Sequence, residues 1–169
     1  MILASRICYN NRMTNNDKPL LLLDIDGVLL PFAPSSLYVW HPEMQVYWSP
    51  YIKDALARLP FEIVWATMRG LTANIDVAPL HGLPPLDAVD FSDMDLTDQT
   101  FKLAGIKRYV GDRQVVWMDD HIYEDGMKWA DDRDRSIPTM AIQVDPYRGF
   151  TTDHIDKLLE FAAFPVLAP

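Results

Sequence analysis

Apolar runs that predict buried strands alternate with segments whose apolar residues recur at helical spacing. Leucines fill positions 20–23, and a second run of apolar residues covers 115–118. Runs that are apolar at every position are typical of strands covered on both faces in a parallel sheet. Ile52, Leu56 and Leu59 show the other pattern, in which one face of a helix is apolar. The chain therefore predicts an α/β fold.

The pattern also predicts where the individual elements lie. Five strands are expected, at 20–23, 61–66, 87–91, 114–118 and 139–144. Helices are expected after Ser49-Pro50, over 72–80 and 101–110, through Trp129, and from about Thr152. The runs 37–40 and 45–48 predict a small β-hairpin. Strands that alternate with helices predict a Rossmann-like three-layer sandwich around a mostly parallel five-stranded sheet.

Composition limits the class of protein and its partners. The 169 residues are 49% hydrophobic and 23% charged, which predicts one globular domain over 19–169 after a flexible, Asn-rich extension at 1–18. A net charge of −9 argues against strong nonspecific binding of nucleic acid and against an anionic membrane surface. Cys8 is the single cysteine, so an intrachain disulfide and a thiolate zinc site are excluded. The chain shows no signal-peptide pattern and no apolar run of membrane length, which predicts a cytoplasmic protein.

Polar side chains follow three of the predicted strands. Asp24 and Asp26 follow the first strand, Thr67 the second, and Asp119 and Asp120 the fourth. Because the carboxyl ends of parallel strands meet at one edge of a sheet, these side chains are expected to form one site. Carboxylates from two strands provide the oxygen ligands that Mg²⁺ prefers. The four acids are therefore the predicted Mg²⁺ ligands.

A cation at this edge would help to bind a phosphoryl group. Lys102, at the start of its predicted helix, is the expected cation, in preference to Lys107 and Arg108 later in that helix. Arg69 lies just past Thr67 and is expected either to bind a substrate phosphate or carboxylate or to face solvent.

Two further groups of residues have alternative interpretations. The aromatic residues of the predicted hairpin either offer a stacking platform for a substrate ring or pack their rings on the sheet. They are Tyr38, Trp40, Tyr47, Trp48 and Tyr51. His121, which follows the acid pair, either tunes the metal site or begins the next helix.

These motifs resemble those of the haloacid dehalogenase-like superfamily of Mg²⁺-dependent phosphohydrolases. The resemblance spans about residues 20–145, in the family's order, and is carried by Asp24-Ile25-Asp26-Gly27, Thr67, Lys102 and Asp119-Asp120. It implies that Asp24 is the nucleophile that forms an aspartyl-phosphate and that Asp26 is the acid/base. It also implies that Thr67 and Lys102 bind the phosphoryl group, that Asp119 and the Asp26 backbone carbonyl ligate the metal at the Asp24 site, and that Asp120 supports it through water or by orienting Lys102.

The spacing of the motifs predicts a capless, open site, since the intervals between them leave no room for an inserted cap domain. The expected activity is hydrolysis of a phosphomonoester: a small phosphorylated metabolite, a nucleotide or a nucleic-acid end. The alternative is a non-catalytic or regulatory domain that binds phosphate and Mg²⁺. A receiver domain is less consistent with the order of the acids, and a glycosyltransferase would not explain Asp119-Asp120.

Overall fold

The computed structural model describes residues 18–163 apart from 93, 95, 96 and 98. In chain order its strands and helices are β1 (Leu20–Leu23), β2 (Val39–His41), β3 (Val46–Trp48), α1 (Pro50–Leu56), β4 (Glu62–Trp65), α2 (Ala73–Leu80), α3 (Leu103–Val110), β5 (Val115–Asp119), α4 (Glu124–Asp134), β6 (Thr139–Gln143) and α5 (Thr152–Ala163). A 3₁₀ turn at Gly70–Thr72 precedes α2. The predicted flexible extension at 1–18 lies outside the described residues except for Lys18.

A parallel sheet of four strands forms the centre of the fold, in the order β4-β1-β5-β6. β1 pairs with β4 on one side, where Leu23 lies opposite Trp65, and with β5 on the other, where Leu23 lies opposite Met118. β6 completes the sheet beside β5. All four leucines of β1 are fully buried, as expected for a central strand that is covered on both faces.

Successive residues of β1 face two different hydrophobic cores. Leu21 and Leu23 belong to a core that includes buried residues of α1, α2 and α5. Leu20 and Leu22 belong to a second core with buried residues of α3, and Trp129 of α4 packs against it. Helices therefore cover both faces of the sheet, which confirms the predicted α/β fold and is compatible with a Rossmann-like arrangement.

The predicted strand at 87–91 is not one of the strands of this sheet. The segment pairs with β4 through a single parallel bridge between Trp65 and Ala88. The Trp65 amide donates to the Asp87 carbonyl and the Val89 amide donates to the Trp65 carbonyl, at 2.9 and 2.8 Å. Asp90 then hydrogen-bonds the amide of Ser92 and turns the chain away. The described sheet thus has four strands instead of the predicted five.

The hairpin and the helix after it form where the sequence predicts them. β2 and β3 pair antiparallel, and the Ser49 hydroxyl accepts the Ile52 amide at 3.2 Å to cap α1. Tyr38 is buried and donates its hydroxyl to the Phe150 carbonyl at 2.8 Å, so its ring is not available for stacking. Trp40 is 51% exposed and contacts the Tyr47 ring edge-on.

The remaining helices form where the sequence pattern predicts them, with shifted boundaries: α2 begins at Ala73, one residue late, and α4 continues past Trp129 to Asp134. α3 begins at Leu103, so that Lys102 lies immediately before the helix and not within its first turn. Among the described residues, no helix is long and apolar enough to cross a membrane.

Candidate functional site

Asp24 and Asp119 meet at the carboxyl edge of the sheet because β1 and β5 are parallel neighbours. Asp24 directly follows β1, and Asp119 is the last residue of β5. The Asp24 amide donates to the Met118 carbonyl at 3.0 Å, which fixes the end of β1 against β5. The Lys102 ammonium lies between the two side chains, with Nζ 2.9 Å from Asp24 Oδ2 and 2.7 Å from Asp119 Oδ2. All three residues are buried. The structure thus brings together three residues that the sequence assigned to one site.

Burial and mutual charge govern the protonation of this cluster. Burial, together with the negative charge of Asp119, raises the pKa of Asp24 to about 6, although Lys102 acts against the shift. Burial alone would lower the pKa of Lys102, but the charges of Asp119 and Asp24 outweigh it, so its pKa is raised. One ammonium is shared by two buried carboxylates, and the cluster therefore favours an additional positive charge.

A part-buried hydrogen-bond network that sequence reasoning missed lies at the turn before Lys102. The Thr100 amide donates to Asp125 Oδ2 at 3.1 Å, and the Thr100 hydroxyl accepts the Tyr123 amide at 2.9 Å. The Leu103 amide donates to the Thr100 carbonyl at 2.8 Å and closes the turn before α3. Thr100 and Asp125 belong to no recognisable motif, so only the three-dimensional contact reveals that they fix the turn before α3.

Asp120 packs against the loop that carries the first two acids. Gly27 has φ +77°, and a Cβ atom there would lie 2.6 Å from Asp120 Oδ2 and 2.9 Å from Pro146 Cβ. Asp120 Oδ1 lies 2.7 Å from His121 Nδ1. The His121 amide donates to Asp119 Oδ1 at 2.9 Å. Glycine at position 27 therefore permits the close approach of Asp120, and His121 contacts both acids that precede it.

Asp26 and Arg69 form a bidentate ion pair at the rim of the site. Arg69 Nε donates to Asp26 Oδ2 at 2.9 Å and Nη2 donates to Oδ1 at 2.7 Å. The Asp26 side chain is 49% exposed and the Arg69 side chain is 35% exposed. The hydrogen bond to Asp26 raises the pKa of Arg69. Arg69 thus contacts a predicted acid/base residue, a partnership that the sequence did not indicate.

Thr67 lies just past the end of β4, beside the end of β1. The Ala66 amide donates to the Leu23 carbonyl at 2.9 Å, which places the residue after Ala66 at the same sheet edge as Asp24. Thr67 is buried, and its hydroxyl oxygen accepts the Arg69 amide at 3.3 Å. Its hydroxyl hydrogen remains able to donate to a phosphoryl oxygen.

The donor atoms at this edge fit a hard divalent cation. Ligand atoms of Asp119, Asp120 and His121 lie within 4.8 Å of one another. Carboxylate oxygens suit Mg²⁺ better than imidazole nitrogen does, and each carboxylate offers about four acceptor positions. Asp24, Asp119 and Asp120 therefore retain lone pairs beyond those used for Lys102 and His121. Four acids face two permanent cations here, which leaves an excess of negative charge.

No protein-family model, curated protein or solved structure matches this chain.

Proposed function

We propose that the protein is a Mg²⁺-dependent phosphomonoester hydrolase that forms an aspartyl-phosphate on Asp24, and that it belongs with the haloacid dehalogenase-like phosphohydrolases. The observation that carries the proposal is the contact of one buried ammonium, that of Lys102, with carboxylates from two neighbouring strands. Buried cationic and anionic groups fixed in this way stabilise the charge that moves during phosphoryl transfer.

The chemistry requires two displacements at phosphorus. An Asp24 oxygen forms a bond to phosphorus as the bond from phosphorus to the alcohol oxygen breaks. The departing alcohol oxygen takes a proton from the Asp26 carboxyl group. Water then attacks phosphorus and gives a proton to the Asp26 carboxylate as the bond from Asp24 to phosphorus breaks. Inorganic phosphate leaves, and both acids return to their initial states. Lys102 and the Thr67 hydroxyl donate to the phosphoryl oxygens throughout.

Asp24, Asp119 and Asp120 would hold Mg²⁺, with Asp26 contributing its backbone carbonyl. When bound, the ion neutralises part of the negative charge on the transferring phosphoryl group. The pair between Asp26 and Arg69 must open, and Asp26 must take up a proton from water, before Asp26 can protonate an alcohol oxygen.

That pair is also the observation that favours a second candidate function. With both Asp26 oxygens accepting from Arg69, the domain would bind phosphate and Mg²⁺ without turnover. A binding or regulatory role needs Lys102, Thr67 and the metal ligands, but it does not need a free acid/base.

Hydrolysis of p-nitrophenyl phosphate separates the two functions. We expect turnover that requires Mg²⁺ in the wild type and a loss of at least about 10³-fold in kcat for Asp24→Asn, because the nucleophile is removed while the fold is retained. Asp112→Asn, a change in the turn before β5, is the matched control and should keep full activity. Activity that persists in Asp24→Asn would contradict the nucleophile assignment. Binding of phosphate and Mg²⁺ without turnover of any phosphomonoester would support the second function.

A further inference from the structure

A cavity of about 480 Å³ opens beside Thr67. One wall is the loop that follows β4, and the other is the segment at 88–92 that bridges to β4. Thr67 therefore borders both this cavity and the candidate site. The volume lies in the range of small-molecule sites, about 300 to 1,000 Å³.

Apolar side chains form most of the cavity wall. Val89 and Phe91 are buried within it, whereas Met68 and Leu71 are 53% and 64% exposed. Phe91 is held in place from behind by α3, where a Cβ atom on Gly105 would lie 2.7 Å from its ring. The cavity thus combines a fixed aromatic wall with two exposed apolar side chains that a ligand would cover.

Asp90 is the ionisable residue among the described residues that line the cavity. Asp90 accepts hydrogen bonds from the Ser92 amide and hydroxyl at 2.9 and 3.0 Å, and the amide bond is the main reason that its pKa is lowered. Among the described residues that line the cavity there is neither lysine nor arginine. Arg69, which lies between two lining residues in the chain, directs its guanidinium to Asp26 instead. Arg108 of α3 approaches this wall, where its Nη2 donates to the Asp90 carbonyl at 2.8 Å and its charge helps to lower the pKa of Asp90. Additional phosphates on a ligand would therefore meet the Asp90 carboxylate and an arginine that already binds the backbone.

We propose that this cavity binds the alcohol portion of the substrate, and that this portion is an uncharged aryl or alkyl group of about the size of one or two rings. The inference rests on the proposed function, since it takes the phosphoryl group to lie between Asp24, Thr67 and Lys102. It favours small apolar phosphomonoesters over nucleoside polyphosphates and nucleic-acid ends, because the cavity wall is mostly apolar and its described lining residues include no lysine or arginine that would bind further phosphates.

Substrate discrimination by a variant at the exposed wall tests the proposal. We expect Leu71→Asp to lower kcat/KM for 1-naphthyl phosphate by about tenfold, because contact with the ring is replaced by a charge, and to leave glycerol 2-phosphate little changed. Ile75→Asp is the matched control, since Ile75 is 79% exposed on α2 and does not line the cavity. It should change neither substrate. An equal effect of Leu71→Asp on both substrates, or a higher kcat/KM for a dinucleotide 5′-phosphate than for 1-naphthyl phosphate, overturns the proposal.

A binding measurement separates failure of the cavity from failure of the proposed function. Protein labelled with ¹³C at the methionine methyl groups is titrated with 1-naphthol in the presence of Mg²⁺ and inorganic phosphate. The Met68 signal, assigned through Met68→Leu, should shift, while that of Met127 on α4 should not. If Met68 shifts but no phosphomonoester is hydrolysed, the cavity stands as an apolar binding site and the hydrolase function fails. If hydrolysis occurs and Met68 does not shift, the function stands and the cavity proposal is overturned.

Discussion

Lys102 carries a buried positive charge whose removal would leave two buried carboxylates facing each other. We expect Lys102→Met to lower the free energy of unfolding by about 3–5 kcal/mol at pH 7, because breaking a buried ion pair leaves its partners uncompensated. Adding Asp24→Asn to this variant should recover part of the loss, since only the Asp119 charge then remains between the strands. Urea titration of the single and double variants measures both effects.

The control for this prediction is an ion pair at the surface. Lys128 contacts Asp132 at 2.6 Å, but the two side chains are 72% and 48% exposed. Lys128→Met should therefore cost less than about 0.5 kcal/mol. Equal losses in Lys102→Met and Lys128→Met would show that the buried cluster does not contribute as its geometry implies.

The turn that leads out of β1 depends on a glycine for two separate reasons. Gly27 has a positive φ, and a Cβ atom at this position would overlap Asp120 Oδ2. A positive φ alone costs alanine about 1–3 kcal/mol. We expect Gly27→Ala to lower the free energy of unfolding by clearly more than this, because Asp120 must also move. Thermal unfolding at neutral pH measures the loss.

Gly111→Ala isolates the backbone contribution to that loss. Gly111, in the turn after α3, has φ +48°, and a Cβ atom there would meet nothing within 4 Å. Its substitution should cost only the backbone strain. If Gly27→Ala and Gly111→Ala lose the same stability, Asp120 moves aside without an energetic cost. The prediction that Asp120 restricts the residue at position 27 would then be wrong.

Elements with a strong local pattern were predictable from the sequence, and those that depend on a neighbour were not. Four leucines identify β1, and Ser49-Pro50 identifies the start of α1, because burial on both faces and capping leave local traces. The segment at 87–91 has the apolar residues of a strand, but it pairs with β4 at one position only. Whether such a short run extends a sheet is decided by its surroundings, which its own residues do not encode.

The same distinction applies to the candidate site. The approach of Asp24, Lys102 and Asp119 could be predicted, since strand ends in a parallel sheet share an edge. The pair between Asp26 and Arg69 could not, because 43 residues separate its members and a surface arginine has many alternative partners. Thr100 and Asp125, which pair at the turn before Lys102, are likewise separated in the chain, by 25 residues. Sequence motifs therefore reveal which groups meet, while their supporting contacts require the fold.

Across the whole molecule, the hairpin and two helices meet at a buried histidine. His81, at the end of α2, lies with its Nδ1 3.0 Å from the Val77 carbonyl and contacts the Trp48 ring of β3 edge-on. Its Nε2 has no hydrogen-bond partner among the described residues. Burial lowers the pKa of His81 below the usual 6.5; the Val77 carbonyl opposes this shift, and Lys53 of α1 adds to it. The neutral ring is therefore the form that suits this junction.

His81 should consequently contribute a loss of stability as the pH falls on the acid side of neutrality, whereas Asp24, whose pKa is raised to about 6, contributes a gain over the same range. Below about pH 6.5 the unfolded chain binds a proton at position 81 that the folded protein resists, so the contribution of His81 to the free energy of unfolding decreases by up to about 1.4 kcal/mol per pH unit until the folded-state pKa is reached. We expect His81→Phe, which keeps a ring against Trp48 but does not titrate, to flatten this decline between about pH 7 and pH 5. Burial also lowers the pKa of His154, so His154→Gln in the same background should remove a further, smaller loss of stability at acid pH. Parallel profiles of urea stability for the wild type and His81→Phe would contradict the assignment, because they would mean that the protonation of His81 is not linked to folding.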